Sequence, residues 1–90
     1  MAQFDNLGTN RAAECELTLI VRHGCHLCDD MRATLNDLLK GRPVSVREVD
    51  VDADPELYRR YNELVPVLKR GELEICHYFI DAVALEQALD

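Results

Sequence analysis

Cys25 and Cys28 stand three residues apart in the run Arg22-His23-Gly24-Cys25-His26-Leu27-Cys28-Asp29-Asp30, which also holds two of the chain's three histidines. Thiols at this spacing either exchange disulfides or hold a metal, with a pair of small apolar residues as the plain alternative. For exchange the attacking species is the thiolate, so surroundings that favour negative sulfur matter most. For zinc, Cys25 and Cys28 with His23 or His26 supply part of a ligand set, but a second spaced Cys/His pair is absent. Cys76-His77 is too compact to be that pair. A c-type haem is excluded, because Asp29 rather than His follows Cys28.

The elements around this run are legible. Leu17-Thr18-Leu19-Ile20-Val21 precedes it, an apolar core for a strand over residues 16–23 that is covered on both faces. From residue 25 to 40 the period changes, and Leu27, Met31, Leu35, Leu38 and Leu39 share one helical face. Asp29 and Asp30 suit the first turn of that helix, Lys40 the last, and Gly41 and Pro43 end it. Residues 44–50 read as a second strand, with a bulge expected where the alternation slips at Glu48-Val49. Asp54-Pro55 starts a short helix bearing Leu57, Tyr58, Tyr61 and Leu64, which Pro66 cannot continue.

A hairpin turning at Gly71-Glu72 follows, its second strand over residues 73–78 with Leu73, Ile75 and His77 on one face. A last helix is capped by Asp81 and striped by Ala84, Leu85, Ala88 and Leu89. The predicted order is β-α-β-α-β-β-α: a parallel strand–helix–strand unit, then an antiparallel pair. Residues 1–14 read as a polar tail and residues 15–90 as one domain.

Composition narrows the function. Ninety residues with 48% hydrophobic content and a net charge of -7 make one small acidic domain without the clustered cations that nucleic acid requires. The absence of tryptophan removes the best base-stacking platform. Neither a signal peptide nor a membrane-spanning run is expected, so the chain is read as cytoplasmic and monomeric. Four cysteines in a reducing compartment point to catalysis or metal rather than structural disulfides. Cys15 and Cys76 are expected to be ordinary half-buried thiols. The acidic run Asp50-Asp52-Asp54 lacks the glycine and distal glutamate of a calcium loop, and capping explains it better.

This element order, with Cys25-His26-Leu27-Cys28-Asp29 after the first strand and Leu64-Val65-Pro66-Val67-Leu68 before the third, resembles the glutaredoxin branch of the thioredoxin superfamily. It is similar in particular to small glutaredoxin-like proteins that carry Cys-His-Leu-Cys-Asp. The resemblance spans residues 16–90. It implies an α/β thioredoxin fold, a four-stranded mixed sheet flanked by three helices. It also implies a thiol–disulfide oxidoreductase in which Cys25 is the exposed nucleophile, Cys28 the resolving thiol and Pro66 a cis-proline beside them. Protein or small-molecule disulfides are the implied substrates, with His26, Leu27, Val65 and Pro66 as contacts.

At a helix start Cys25 would meet free N–H groups and a partial positive charge. Protonated His23 or His26, and Arg22, would add to that field, while Asp29 and Asp30 would oppose it, so a moderately lowered Cys25 pKa is expected. His26 and Leu27 replace the Pro and Tyr or Phe usual in glutaredoxins, and Leu64 replaces a Thr. The stretch 75–81 lacks the Gly-Gly and acidic pair that help hold glutathione. No cofactor is required on this reading, and glutathione enters only as an optional co-substrate. The alternatives are a zinc or iron–sulfur module on the two thiols, or a thioredoxin-fold interaction module without turnover.

Overall fold

β1 (Cys15–Val21) is the strand on which the rest of the sheet is built. In the computed structural model, which describes residues 15–89, it pairs in parallel with β2 (Val44–Asp50) and antiparallel with β3 (Val67–Arg70). β4 (Leu73–His77) closes the far side of β3, giving the order β2-β1-β3-β4. The helices are α1 (His26–Leu39), α2 (Pro55–Tyr61) and α3 (Ala82–Leu89), with a one-turn 3₁₀ segment at Val51–Ala53. This is the four-stranded mixed sheet with three helices that the thioredoxin fold requires. The N-terminal tail expected over residues 1–14 lies outside the described residues.

The two-residue period of β1 divides the core. Leu17 and Leu19 point to one face, where Met31, Leu35 and Leu39 of α1 and Leu85 of α3 cover them. Ile20 points to the other, against Val51, Tyr61 and Val67, with Leu57, Leu64 and Val65 packed around them. β3 repeats the device: Val67 joins the α2 side, Leu68 the α1 side. Lys69 returns to the α2 side, buried, with its ammonium 5.2 Å from the centre of the Tyr61 ring. A strand hydrophobic on both faces therefore reads as a continuous apolar run.

Local signals set the element ends. Cys25 takes an extended N-cap conformation before α1, and Gly41 adopts φ +78, the left-handed stop after it. Asp54 caps α2 through Oδ1, which accepts the amides of Glu56 at 2.7 Å and Leu57 at 3.3 Å, with Pro55 in the first turn. Asp81 Oδ1 accepts the Ala84 amide at 3.0 Å, opening α3.

Several expectations are corrected. β1 ends at Val21 rather than 23, because residues 23–24 turn and Gly24 takes φ +76. The buried face of α1 is Cys28, Met31, Leu35 and Leu39, while Leu38 is exposed and Leu27 half-buried. No bulge interrupts β2: its register with β1 is continuous, and the shift falls between Leu68 and Lys69 in the β3–β4 pair. That shift breaks the alternation of β4, so Leu73 and His77 are exposed while Ile75 and Cys76 both pack on the α1-side core. Cys15 packs on the same core, and both Cys15 and Cys76 are free thiols.

Candidate active site

The chain leaves β1 at Val21, turns through residues 22–24 and enters α1 with Cys25 as the capping residue. Capping is normally done by an oxygen side chain. Here the sulfur does it, accepting the Cys28 amide at 3.1 Å. That amide is one of the donors a helix start leaves without an internal partner. Cys25 and Cys28 are joined as a disulfide with their Cα atoms 5.2 Å apart, inside the span a disulfide bridges without backbone movement. The two sulfurs differ in surroundings: Cys25 is half-buried, whereas Cys28 is 1% exposed and part of the inner face of α1.

Arg22 and Asp29, two of the charges expected to act on Cys25, have ion-pair partners of their own. Arg22 turns to the α2 side, where its guanidinium meets Asp52 through Nε and Nη2, both at 3.2 Å, and Asn62 through Oδ1 at 2.6 Å and the main-chain carbonyl at 3.3 Å. The hydrogen bond to Asp52 raises the Arg22 pKa further above its ordinary value. Asp29 is taken by Arg32 at 2.8 Å, which also grips Glu48 of β2 at 2.6 and 3.0 Å. The carboxylate expected to oppose a thiolate is thus matched by a cation one turn along the helix. That same cation holds the Glu48 carboxyl below the usual range. His26 is 87% exposed, its ring 3.6 Å from Asp30, and His23 is exposed.

Pro66 sits at the same end of the sheet. Val67 is the β-partner of Ile20, so Pro66 lies beside the end of β1 from which the Cys25 turn departs. The Val65–Pro66 peptide is cis, Pro66 is buried, and Val65 is half-buried against the α2-side core. The structure therefore gathers Cys25, Cys28 and Leu27 at the start of α1 and sets Val65 and Pro66 on the neighbouring strand entry. His26 faces solvent beside Asp30. A shallow cleft lined by Val21, His23, Gly24, Asp29, Arg32 and Glu48 opens beside the turn.

Sequence reasoning missed the Arg22–Asn62 link, the Arg32 bridge and the role of Tyr78, whose phenol donates to the Glu63 carbonyl at 2.7 Å. None has a local signal: the partners are 40, 16 and 15 residues apart. Among the described residues no three His, Cys, Asp or Glu side chains are grouped so that they could hold a metal ion. No helix among them is long and apolar enough to cross a membrane.

The model of the glutaredoxin-like domain (DUF836) matches residues 16–90. The chain belongs to that family. Among solved structures, this glutaredoxin-like domain is similar to protein Ne2328 from Nitrosomonas europaea, with a TM-score of 0.75 and 37% identity over 84% of this chain and 92% of that one. It is also similar to protein XcR50 from X. campestris, with a TM-score of 0.59 and 31% identity over 82% and 95% of the two chains. A malarial protein at 17% identity and a TM-score of 0.55 shares the fold. No curated protein matches. Family and cysteine pair together make the domain a thioredoxin-like redox module.

Proposed function

We propose that this glutaredoxin-like domain is a dithiol thiol–disulfide oxidoreductase. The observation that supports it is the asymmetry of the bonded pair: a half-buried Cys25 whose sulfur accepts a helix-start amide, joined to a Cys28 out of solvent. In the reduced protein the same amide would remain to donate to a Cys25 thiolate, favouring the charged form.

The thiolate of Cys25 attacks one sulfur of a partner disulfide, forms a mixed disulfide and releases the partner's other sulfur as thiolate. Cys28 gives up its proton and attacks the Cys25 sulfur, which expels the second partner thiol and leaves the Cys25–Cys28 disulfide. Two electrons pass from the domain to the partner, and a dithiol or two molecules of glutathione return them. Val65 and Pro66 offer main chain to an extended partner, and Leu27 and His26 offer the rim. Protein and small-molecule disulfides are the substrates on this reading, and the cytosol, where free thiols such as Cys15 and Cys76 stay reduced, is the compartment.

The test is disulfide exchange by the purified protein. Cys25→Ser should abolish it, and Cys28→Ser should keep only reactions that a single thiol completes, accumulating mixed disulfide. A wild-type protein inert toward both glutathione mixed disulfides and protein disulfides would end this reading.

A further inference from the structure

Tyr78 is the one non-glycine residue with positive φ among the described residues, at +67. Backbone of this hand is disfavoured for a bulky aromatic side chain, so something must hold it. Two donors of Tyr78 land on one short segment: its amide reaches the Pro66 carbonyl at 2.9 Å and its phenol the Glu63 carbonyl at 2.7 Å. Pro66 has no N–H to return, so the β3–β4 ladder, whose preceding rung pairs Val67 with His77, continues by the Tyr78 amide alone. The chain then turns sharply, Phe79 donating to the His77 carbonyl at 2.7 Å, and the Tyr78 ring stands edge-on to the His77 ring.

Residues 63–66 are therefore held at both ends from outside by one side chain and its own amide. The side chains of Leu64 and Val65 between those ends pack into the core around Ile20, Val51 and Tyr61. With those two side chains turned partly inward, the stretch also offers a partner its main chain, and main chain recognises another extended strand. We propose that Tyr78 is a positioning residue that presents the Val65 main chain to an extended peptide disulfide, and so separates peptide substrates from small disulfides. This rests on the oxidoreductase reading above, and concerns which disulfides that site favours.

The test uses the whole protein with two probes, insulin as a peptide-chain disulfide and bis(2-hydroxyethyl) disulfide as a small one. Tyr78→Phe removes the phenol bond alone. It should raise KM for insulin roughly five- to tenfold, the worth of one hydrogen bond, with kcat and the small-disulfide rate unchanged. Tyr78→Gly relieves the left-handed backbone. It should show at least the same rise in KM while melting no lower than Tyr78→Phe. Insulin kinetics that match wild type in both variants would overturn the proposal. So would a parallel loss on both probes that tracks the melting temperature, the mark of a merely structural residue. A wild-type protein that reduces neither probe fails before any variant is made. That outcome sinks the oxidoreductase reading and takes this proposal with it.

Discussion

Arg22, three residues before the Cys25 that caps α1, donates to both the side-chain and main-chain oxygens of Asn62, the residue that ends α2. The contact ties the turn bearing the cysteine pair to the segment leading to Val65 and Pro66. Its charged partner, Asp52, sits on the 3₁₀ turn between them, and the Tyr58 ring lies 5.9 Å from the guanidinium.

Replacing Arg22 tests how much of that tie is charge and how much is hydrogen bonding. Arg22→Ala should lower the melting temperature by a few degrees. Added salt should shrink the difference from wild type only in part, because the Asp52 pair is screened and the Asn62 bonds are not. Arg22→Lys keeps the charge without the planar fork and should recover less than half of the loss. Thermal scans at low and high salt measure both effects.

The Arg32–Glu48 pair makes a prediction in acid. Glu48 in the folded protein titrates below its ordinary value of 4.5, first through its hydrogen bond with Arg32. A depressed carboxyl stabilises the fold above its unfolded pKa and loses that contribution as pH falls through its folded pKa. The difference in stability between wild type and Glu48→Gln should therefore be constant above about pH 5 and close as the pH drops below the ordinary glutamate value. Both partners are partly exposed, so the difference is small. Urea denaturation between pH 3 and 7 resolves it.

Thiol reactivity should sort by environment. Burial pushes the Cys76 thiol above its ordinary 9.0; a backbone hydrogen bond from Asp81 works against this, and the Asp81 and Glu74 charges add repulsion. In the reduced protein at neutral pH, iodoacetamide should label Cys25 first and Cys76 more slowly, the Cys76 rate rising as the pH is raised. Timed mass spectrometry of the labelled peptides reads the order.

The cap on α2 has a defined worth. Asp54→Ala strands the amides of Glu56 and Leu57 and should cost about 1 kcal/mol. For a domain of this size that lowers the melting temperature by roughly 4–8 °C. Asp54→Asn, which keeps an accepting oxygen, should recover most of it.

The elements legible in the sequence are those fixed by neighbours along the chain. Asp54-Pro55 caps and opens a helix, Gly41 ends one, and Leu17 to Val21 form a buried strand, because each rests on local backbone geometry or on period alone. The placement of Cys25 at a helix start was readable for the same reason. What could not be read depends on which strand lies beside which. The shift at Leu68/Lys69 answers to β4, and the apparent slip at Glu48-Val49 is harmless because a parallel neighbour keeps register through it. Leu38 matched the helical period as well as Cys28 did. The sheet beneath α1 covers Cys28 and leaves Leu38 outside. Arg22, Arg32 and Tyr78 act across the fold, and their partners carry no mark in sequence.

β1 is bonded along both edges, to β2 over its whole length and to β3 over its second half. An interior strand of this kind opens only when the whole domain opens. Its amides, those of Leu17 to Ile20, set the upper limit of protection against solvent deuterium. The thiol pair hangs one turn beyond that strand, at the boundary between the most persistent part of the molecule and its surface. On the oxidoreductase reading, making and breaking the Cys25–Cys28 bond requires no opening of the frame behind it.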